Sequence, residues 1–314
     1  MAAARIAVIG AGLMGHGLAQ VFALGGHDVT IYDAVDASLK TVRDRISTNL
    51  RDLGDDPRAV DRVRPTGDLK DCVRDVDYVV EAVSEDLPLK QKLFGEIEGY
   101  VRDDTILASN TSVMPITDIM RGLRRRERAL GTHWWNPPYL VPLVEVIGTE
   151  WTSPAVIDWT MNLHSAVGKT PAHVKKDVPG FIGNRLQHAL WREAIALVEY
   201  GICDAETVDT VIKAAFGRRL AVLGPLENAD MVGTDLTLAI HKTVLPAIES
   251  RPGPSPYLEK LVASGKLGFK SGEGFRTWSP AQQAALRAKV LQHLKTAREN
   301  DAQERQDKQA KPGR

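Results

Sequence analysis

A chain of 314 residues is long enough to bury a full core and, at about 100 to 200 residues per domain, to form two domains. Its 40 Lys and Arg balance 40 Asp and Glu, which removes any general electrostatic reason to bind DNA, RNA or an anionic membrane. The two cysteines, Cys72 and Cys203, exclude a disulfide framework and fit a reducing compartment; neither lies in a CxxC or Cys/His cluster, so no metal is expected.

The opening MAAARIAVIGAGLMG has one Arg before an apolar run, as a secretory signal does. Its glycines come early, however, and lead into a helical pattern rather than a cleavage site. No apolar stretch approaches the ~20 residues of a membrane span, so a cytoplasmic protein is expected. The runs ARIAVIG, DVTIYD, DYVVEAV, TILAS and RALGTHWW read as strands, and helical patterns lie near 13–25, 36–53, 86–99 and 154–167. That alternation predicts an α/β fold, a doubly wound Rossmann sheet over residues 1–178. LVEVI adds a strand after the turn Asn136, Pro137, Pro138. Beyond Asp177 strand signals cease and apolar residues recur at helical spacing, with Pro179 and Gly180 marking a helix start and Gly201 its end. Residues 179–280 are therefore expected to be all-helical. Residues 281–314 begin as an amphipathic helix and decay into ENDAQERQDKQAKPGR, polar enough to be disordered.

Two patterns carry chemistry. Gly10, Gly12 and Gly15, with Leu13 and Met14 between them, form GxGxxG between a strand and a helix. The first glycine permits the turn, the second lets a pyrophosphate approach the backbone, and the third allows close packing; the helix N–H groups then face the phosphates. Asp33 ends the second strand, where it can accept from the adenosine ribose hydroxyls, and Ala34 follows instead of an Arg, which favours NAD over NADP. Glycines that serve only a turn, and an Asp that only caps, are the bland alternatives. The second pattern is GTHWWNPPYLVPLVEVI, a strand, turn and strand that brings His133 and Glu145 together. Taking hydride from a secondary alcohol leaves a carbonyl only if the hydroxyl proton is also taken, and neutral imidazole near pH 7 suits that task. A carboxylate on the other ring nitrogen fixes the tautomer. A core histidine and an edge-strand acid are the competing reading.

AVIGAGLMG, VVEAVSEDLPLK, ASNTS, THWWNPP, LVEVI, DVPGFIGNRL, GPLENADMVGTD and KLGFKSGEGF, in that order to about Trp278, resemble the 3-hydroxyacyl-CoA dehydrogenase family. The resemblance implies a Rossmann domain, a helical dimerising domain, a homodimer, and NAD-dependent oxidation of a 3-hydroxy group. It places the catalytic base on His133, the orienting acid on Glu145, a substrate-contacting serine on Ser112 and a polar junction residue on Asn184. Glu85, Lys90 and Asn110 fall on positions near the nicotinamide half of the cofactor. In purely structural terms Ser112 and Asn110 would cap a helix beginning near Met114 and Pro115.

Acyl-CoA members carry a long lysine-rich helical insertion after the second strand. Here AVDASLKTVRDRISTNLRDLGDDPRAVDRVRP is shorter and mixed in charge, with Asp52, Asp55 and Asp56 near its tip, a poor match for polyanionic CoA. Arg218 and Arg219 precede LAVLGPLE, and a cation there resembles the branch acting on small free acids, so Arg219 is expected to hold a substrate carboxylate. Trp135 is expected on the His133 side of its strand and Trp134 on the other, which makes Trp135, with Asn136, a candidate pocket residue. The expected reaction is oxidation of a small 3-hydroxy acid by NAD. The alternatives are a 3-hydroxyacyl-CoA substrate, an aldehyde of the pyridine-carboxylate type, and a non-catalytic crystallin-like NAD-binding protein.

Overall fold

In the computed structural model, which describes residues 2–310, Arg5–Ile9 forms β1, and every residue of it after Arg5 is buried. The chain then forms α1 (Gly15–Leu24), β2 (Asp28–Tyr32), α2 (Asp36–Leu53), β3 (Val63–Thr66), α3 (Leu69–Val73) and β4 (Tyr78–Glu81). It continues through α4 (Leu87–Glu98), β5 (Ile106–Ser109), α5 (Ile116–Met120), β6 (Ala129–Trp134), β7 (Leu143–Ile147), α6 (Pro154–Ala166) and β8 (Thr170–Val174). The eight strands make one sheet in the order β3-β2-β1-β4-β5-β6-β7-β8. All pairings are parallel except β6 with β7. Alternate residues of β1 serve opposite faces: Ile6 and Val8 join one apolar core with Leu18, Phe22 and Ile31, while Ala7 and Ile9 join another with Val79, Phe94 and Ile97. The strand order reverses between β2 and β4 around β1, so the crevice at the carboxyl ends of these strands is where an open α/β sheet offers a ligand site.

The remaining helices are α7 (Gly183–Glu199), α8 (Ala205–Ala214), α9 (Pro225–Val232), α10 (Thr234–Val244), α11 (Pro256–Ala263) and α12 (Pro280–Ala310). The chain divides into two compact units, Met1–Arg185 with Leu291–Arg314, and Leu186–Val290. Within the second unit Arg251 ties Glu199 to Glu249, and the Tyr200 hydroxyl donates to Glu249 at 2.6 Å. Large apolar side chains such as Phe216, Val222, Leu226, Met231 and Leu236 remain exposed there. No helix among the described residues is long and apolar enough to cross a membrane.

The expectation of a disordered tail needs correction up to Ala310, because α12 continues to that residue. Its polar composition offers no apolar stripe, yet Ala, Gln, Glu, Lys and Arg are strong helix formers. Lys295 Nζ donates to the Asp52 carbonyl at 3.0 Å and Arg298 to Asp55 at 2.7 Å, which fastens the helix to the tip of α2. Residues 311–314 lie outside the described residues.

Candidate active site

The antiparallel register of β6 and β7 sets His133 directly opposite Glu145, and opposed residues of such a pair present their side chains on one face. The His133 Nδ1 lies 2.8 Å from Glu145 Oε2, while Glu145 Oε1 accepts the N–H groups of Ile182 and Gly183 at 2.8 and 3.0 Å. The two side chains are 5% and 1% exposed. Burial pushes the Glu145 carboxyl up, but the bond to His133 and the two backbone donors outweigh it and hold the group below the ordinary carboxylate range. An ionised Glu145 has only acceptors to offer, so Nδ1 carries the ring proton and Nε2 is left to take another.

Two aromatic rings flank the imidazole: Trp135 with its centroid 5.3 Å away and Phe181 at 5.6 Å. Trp134 points the other way, 2% exposed, against Phe22 and His164. A Cβ built on Gly183 would come within 2.5 Å of Trp135 Cζ2, so a glycine is needed where this indole packs. Asn136 is exposed and forms a cis peptide bond with Pro137.

Ser112 is held by its backbone. Its N–H donates to Glu85 Oε1 at 2.6 Å and its carbonyl accepts from Asn184 Nδ2 at 2.8 Å, while its hydroxyl has no partner among the described residues. Asn184 thus spends one of its two amide hydrogens on the Ser112 loop and has a second to donate. Neither Ser112 nor Asn110 caps α5, whose N-cap is Pro115. Asn110 is buried; its N–H donates to the Glu81 carbonyl and its Oδ1 accepts the Trp134 N–H at 2.9 Å, which joins β4, β5 and β6.

Lys90, expected near the nicotinamide half of the cofactor, lies in a buried ion pair. Its side chain is 1% exposed, with Nζ 2.5 Å from Glu81 Oε1 and 3.5 Å from Glu85 Oε2. Lys90 thus holds the Glu81 and Glu85 carboxylates in place. Glu81 is the residue the sequence did not flag: fully buried, it also accepts from Val83 N–H at 2.7 Å and from the Ser109 hydroxyl at 2.7 Å. Only its place beside the flagged Lys90 and Glu85, at the end of an apolar strand, hinted at it.

The glycine loop fits a dinucleotide. Gly10 has φ +104°, and a Cβ on Gly15 would lie 1.7 Å from the Gly10 carbonyl oxygen, whereas a Cβ on Gly12 would meet nothing within 4 Å. The backbone at Gly12 is thus open to a close-approaching phosphate, and no acidic residue occupies the first turn of α1 to oppose one. Leu13 is 67% exposed at this loop and Met14 packs towards the core. Asp33 accepts the Ala11 and Val35 N–H groups at 2.7 and 2.8 Å, one on each oxygen, which leaves further lone pairs for ribose hydroxyls. Arg45 of α2, another residue not flagged, donates to the Ala11 and Ser38 carbonyls at 2.7 and 3.1 Å and braces the loop from behind. Arg219 lies in the second unit, exposed, just after a short 3₁₀ turn at Phe216–Arg218.

Comparison with known proteins gives a consistent picture. Residues 5–178 match the family profile described as 3-hydroxyacyl-CoA dehydrogenase, NAD binding domain, and residues 180–278 match its C-terminal domain. The chain is 39% identical, over 94% of its length and 97% of the relative's, to a 5-formyl-3-hydroxy-2-methylpyridine 4-carboxylate 5-dehydrogenase from Mesorhizobium japonicum. It is 38% identical to the human mitochondrial hydroxyacyl-coenzyme A dehydrogenase, over 86% of this chain and 90% of that one. A crystal structure of a dehydrogenase of the same formylpyridine carboxylic acid, described as an NAD+-dependent dismutase, superposes with a TM-score of 0.88 at 36% identity, covering 96% of this chain and 99% of that one. The (S)-3-hydroxybutyryl-CoA dehydrogenase from Ralstonia eutropha superposes at 0.75 with 32% identity, over 88% of this chain and 100% of that one.

Proposed function

This chain belongs to the 3-hydroxyacyl-CoA dehydrogenase family, and we propose that within it the protein oxidises the hydroxyl-bearing carbon of a small free carboxylic acid, with His133 as the base. It is an NAD-dependent dehydrogenase acting on a CH–OH group. Gly10, Gly12, Gly15 and Asp33 would hold NAD, which when bound supplies the hydride acceptor. His133 Nε2 takes the hydroxyl proton, Nδ1–H stays on Glu145, and the resulting imidazolium is stabilised by that carboxylate. Ser112 Oγ–H and the spare Asn184 amide hydrogen donate to the oxygen whose charge changes, an interaction worth about 3 kcal/mol in comparable sites. The single observation that carries this reading is the 2.8 Å contact of His133 Nδ1 with Glu145 Oε2 in a buried pair.

A free acid is favoured over a CoA thioester because the tip of α2 offers no lysine cluster and is instead engaged by Lys295 and Arg298 at Asp52 and Asp55. In this reading Trp135 lines the pocket beside His133. A second substrate is favoured by the formylpyridine relative: the hydrate of an aromatic aldehyde. That hydrate is an alcohol at the reacting carbon; loss of hydride to NAD and of a proton to His133 leaves the carboxylic acid. The exposed apolar side chains of the second unit, Phe216, Val222 and Leu226 among them, support a homodimer, and the free Cys72 and Cys203 suit the cytoplasm. The test is NADH formation from matched hydroxy acids, ring aldehydes and CoA thioesters. A kcat/KM for the free acids or aldehydes that exceeds that for the thioesters supports the proposal, and the reverse order refutes it.

A further inference from the structure

Among the described residues Phe181 is the one non-glycine with positive φ, at +51°, a region in which an L side chain is strained. It follows Gly180, φ +75°, so two successive residues turn the backbone left-handed just before α7 begins at Gly183. The turn directs the next two N–H groups, of Ile182 and Gly183, to one oxygen of Glu145. Glycine would adopt this conformation without strain, yet the position holds a phenylalanine that is fully buried, with its ring centroid 5.6 Å from that of His133. Such strain persists only where the surroundings over-determine it, and it gathers at functional sites.

We propose that Phe181 is a positioning residue for the His133–Glu145 pair: its left-handed backbone clamps Glu145 Oε1 so that Oε2 faces His133 Nδ1, and its ring walls the imidazole against water. The proposal rests on the reading of His133 as the base. Backbone and ring have separable duties. Glycine at 181 keeps the turn and removes the wall; leucine keeps the bulk and removes the flat face.

The experiment compares wild type, Phe181→Gly, Phe181→Leu, Glu145→Gln, the two double variants at 181 and 145, and His133→Ala. It measures kcat, KM for NAD and NADH affinity by fluorescence in the full chain. Phe181→Gly is expected to lose on the order of tenfold to a hundredfold in kcat, with NADH affinity retained, and Phe181→Leu to fall between it and wild type. In the Glu145→Gln background both losses should shrink to a small residue, because the pair they serve is already broken. If Phe181→Gly fails to fold, Phe181→Leu carries the same comparison. An unchanged kcat in the 181 variants beside an inactive His133→Ala overturns the proposal, as does a loss that stays the same in the Glu145→Gln background. A loss of NADH affinity in step with kcat does so too. Full turnover in His133→Ala instead overturns the assignment of the base.

Discussion

Glu145→Gln is the perturbation whose consequence the structure fixes most tightly. Glutamine has the shape of glutamate, and the Ile182 and Gly183 N–H groups at 2.8 and 3.0 Å can donate to its amide oxygen but not to its NH2. The amide nitrogen must therefore face His133 Nδ1, 2.8 Å from the second carboxylate oxygen in the native protein. Two donors then meet unless the ring moves its proton to Nε2, and an Nε2 that already bears a proton cannot take one from a substrate. Reversing a catalytic tautomer in a buried His–carboxylate pair costs up to about 10⁴ in kcat. We expect a fall of about 10²- to 10⁴-fold, or about 3 to 5 kcal/mol in the barrier. KM for NAD should change little, since no glycine-loop atom bonds to Glu145. Steady-state NADH formation at saturating NAD reads the effect, and a kcat within about tenfold of wild type would refute the tautomer argument.

Other expectations follow from individual positions. Gly12→Ala meets nothing within 4 Å, so thermal stability should hold while the Kd for NAD rises; Gly15→Ala, with its Cβ 1.7 Å from the Gly10 oxygen, should destabilise the fold itself. Equal melting temperatures for the two variants would contradict this. Burial among Phe22, Tyr78 and Trp134 pushes the His164 imidazole down to about 4 from its ordinary 6.5. The folded state keeps His164 neutral while the unfolded chain binds a proton below 6.5, so this contribution is complete above pH 6.5. It is lost as pH falls towards 4, about 3 kcal/mol in all. Urea unfolding of His164→Phe should show a flatter pH dependence over that window, and an unchanged slope would exclude His164 as its source.

The parts of this fold that were legible in the sequence are those where periodicity and burial coincide. The strands around β1 and the helices α1, α2, α4 and α6 show the expected alternation because each buries a continuous apolar face. The edge strands β3, VRPT, and β8, TPAHV, went unread: each carries a proline and exposed polar residues, and an edge strand has only one neighbour to pair with. The pair His133 and Glu145 is legible because the two strands return on each other and their antiparallel register sets the two residues opposite. Phe181 was invisible as a functional residue because nothing in its type announces a left-handed backbone. Glu81 is hidden inside an apolar run, and the place of Lys90 near the nicotinamide rests on family resemblance, which carries no sign that burial turns its charge inward on Glu81. Arg45 reaches the glycine loop across 34 residues of sequence, a distance that spacing rules do not cover.

Replacing His133 by alanine and measuring turnover beside NADH binding tests the central claim most directly. The account predicts turnover reduced at least about 10³-fold with NADH bound as in the wild type, since the glycine loop and Asp33 make no contact with residue 133. Turnover within about tenfold of the wild type, in protein that still binds NADH, would contradict it.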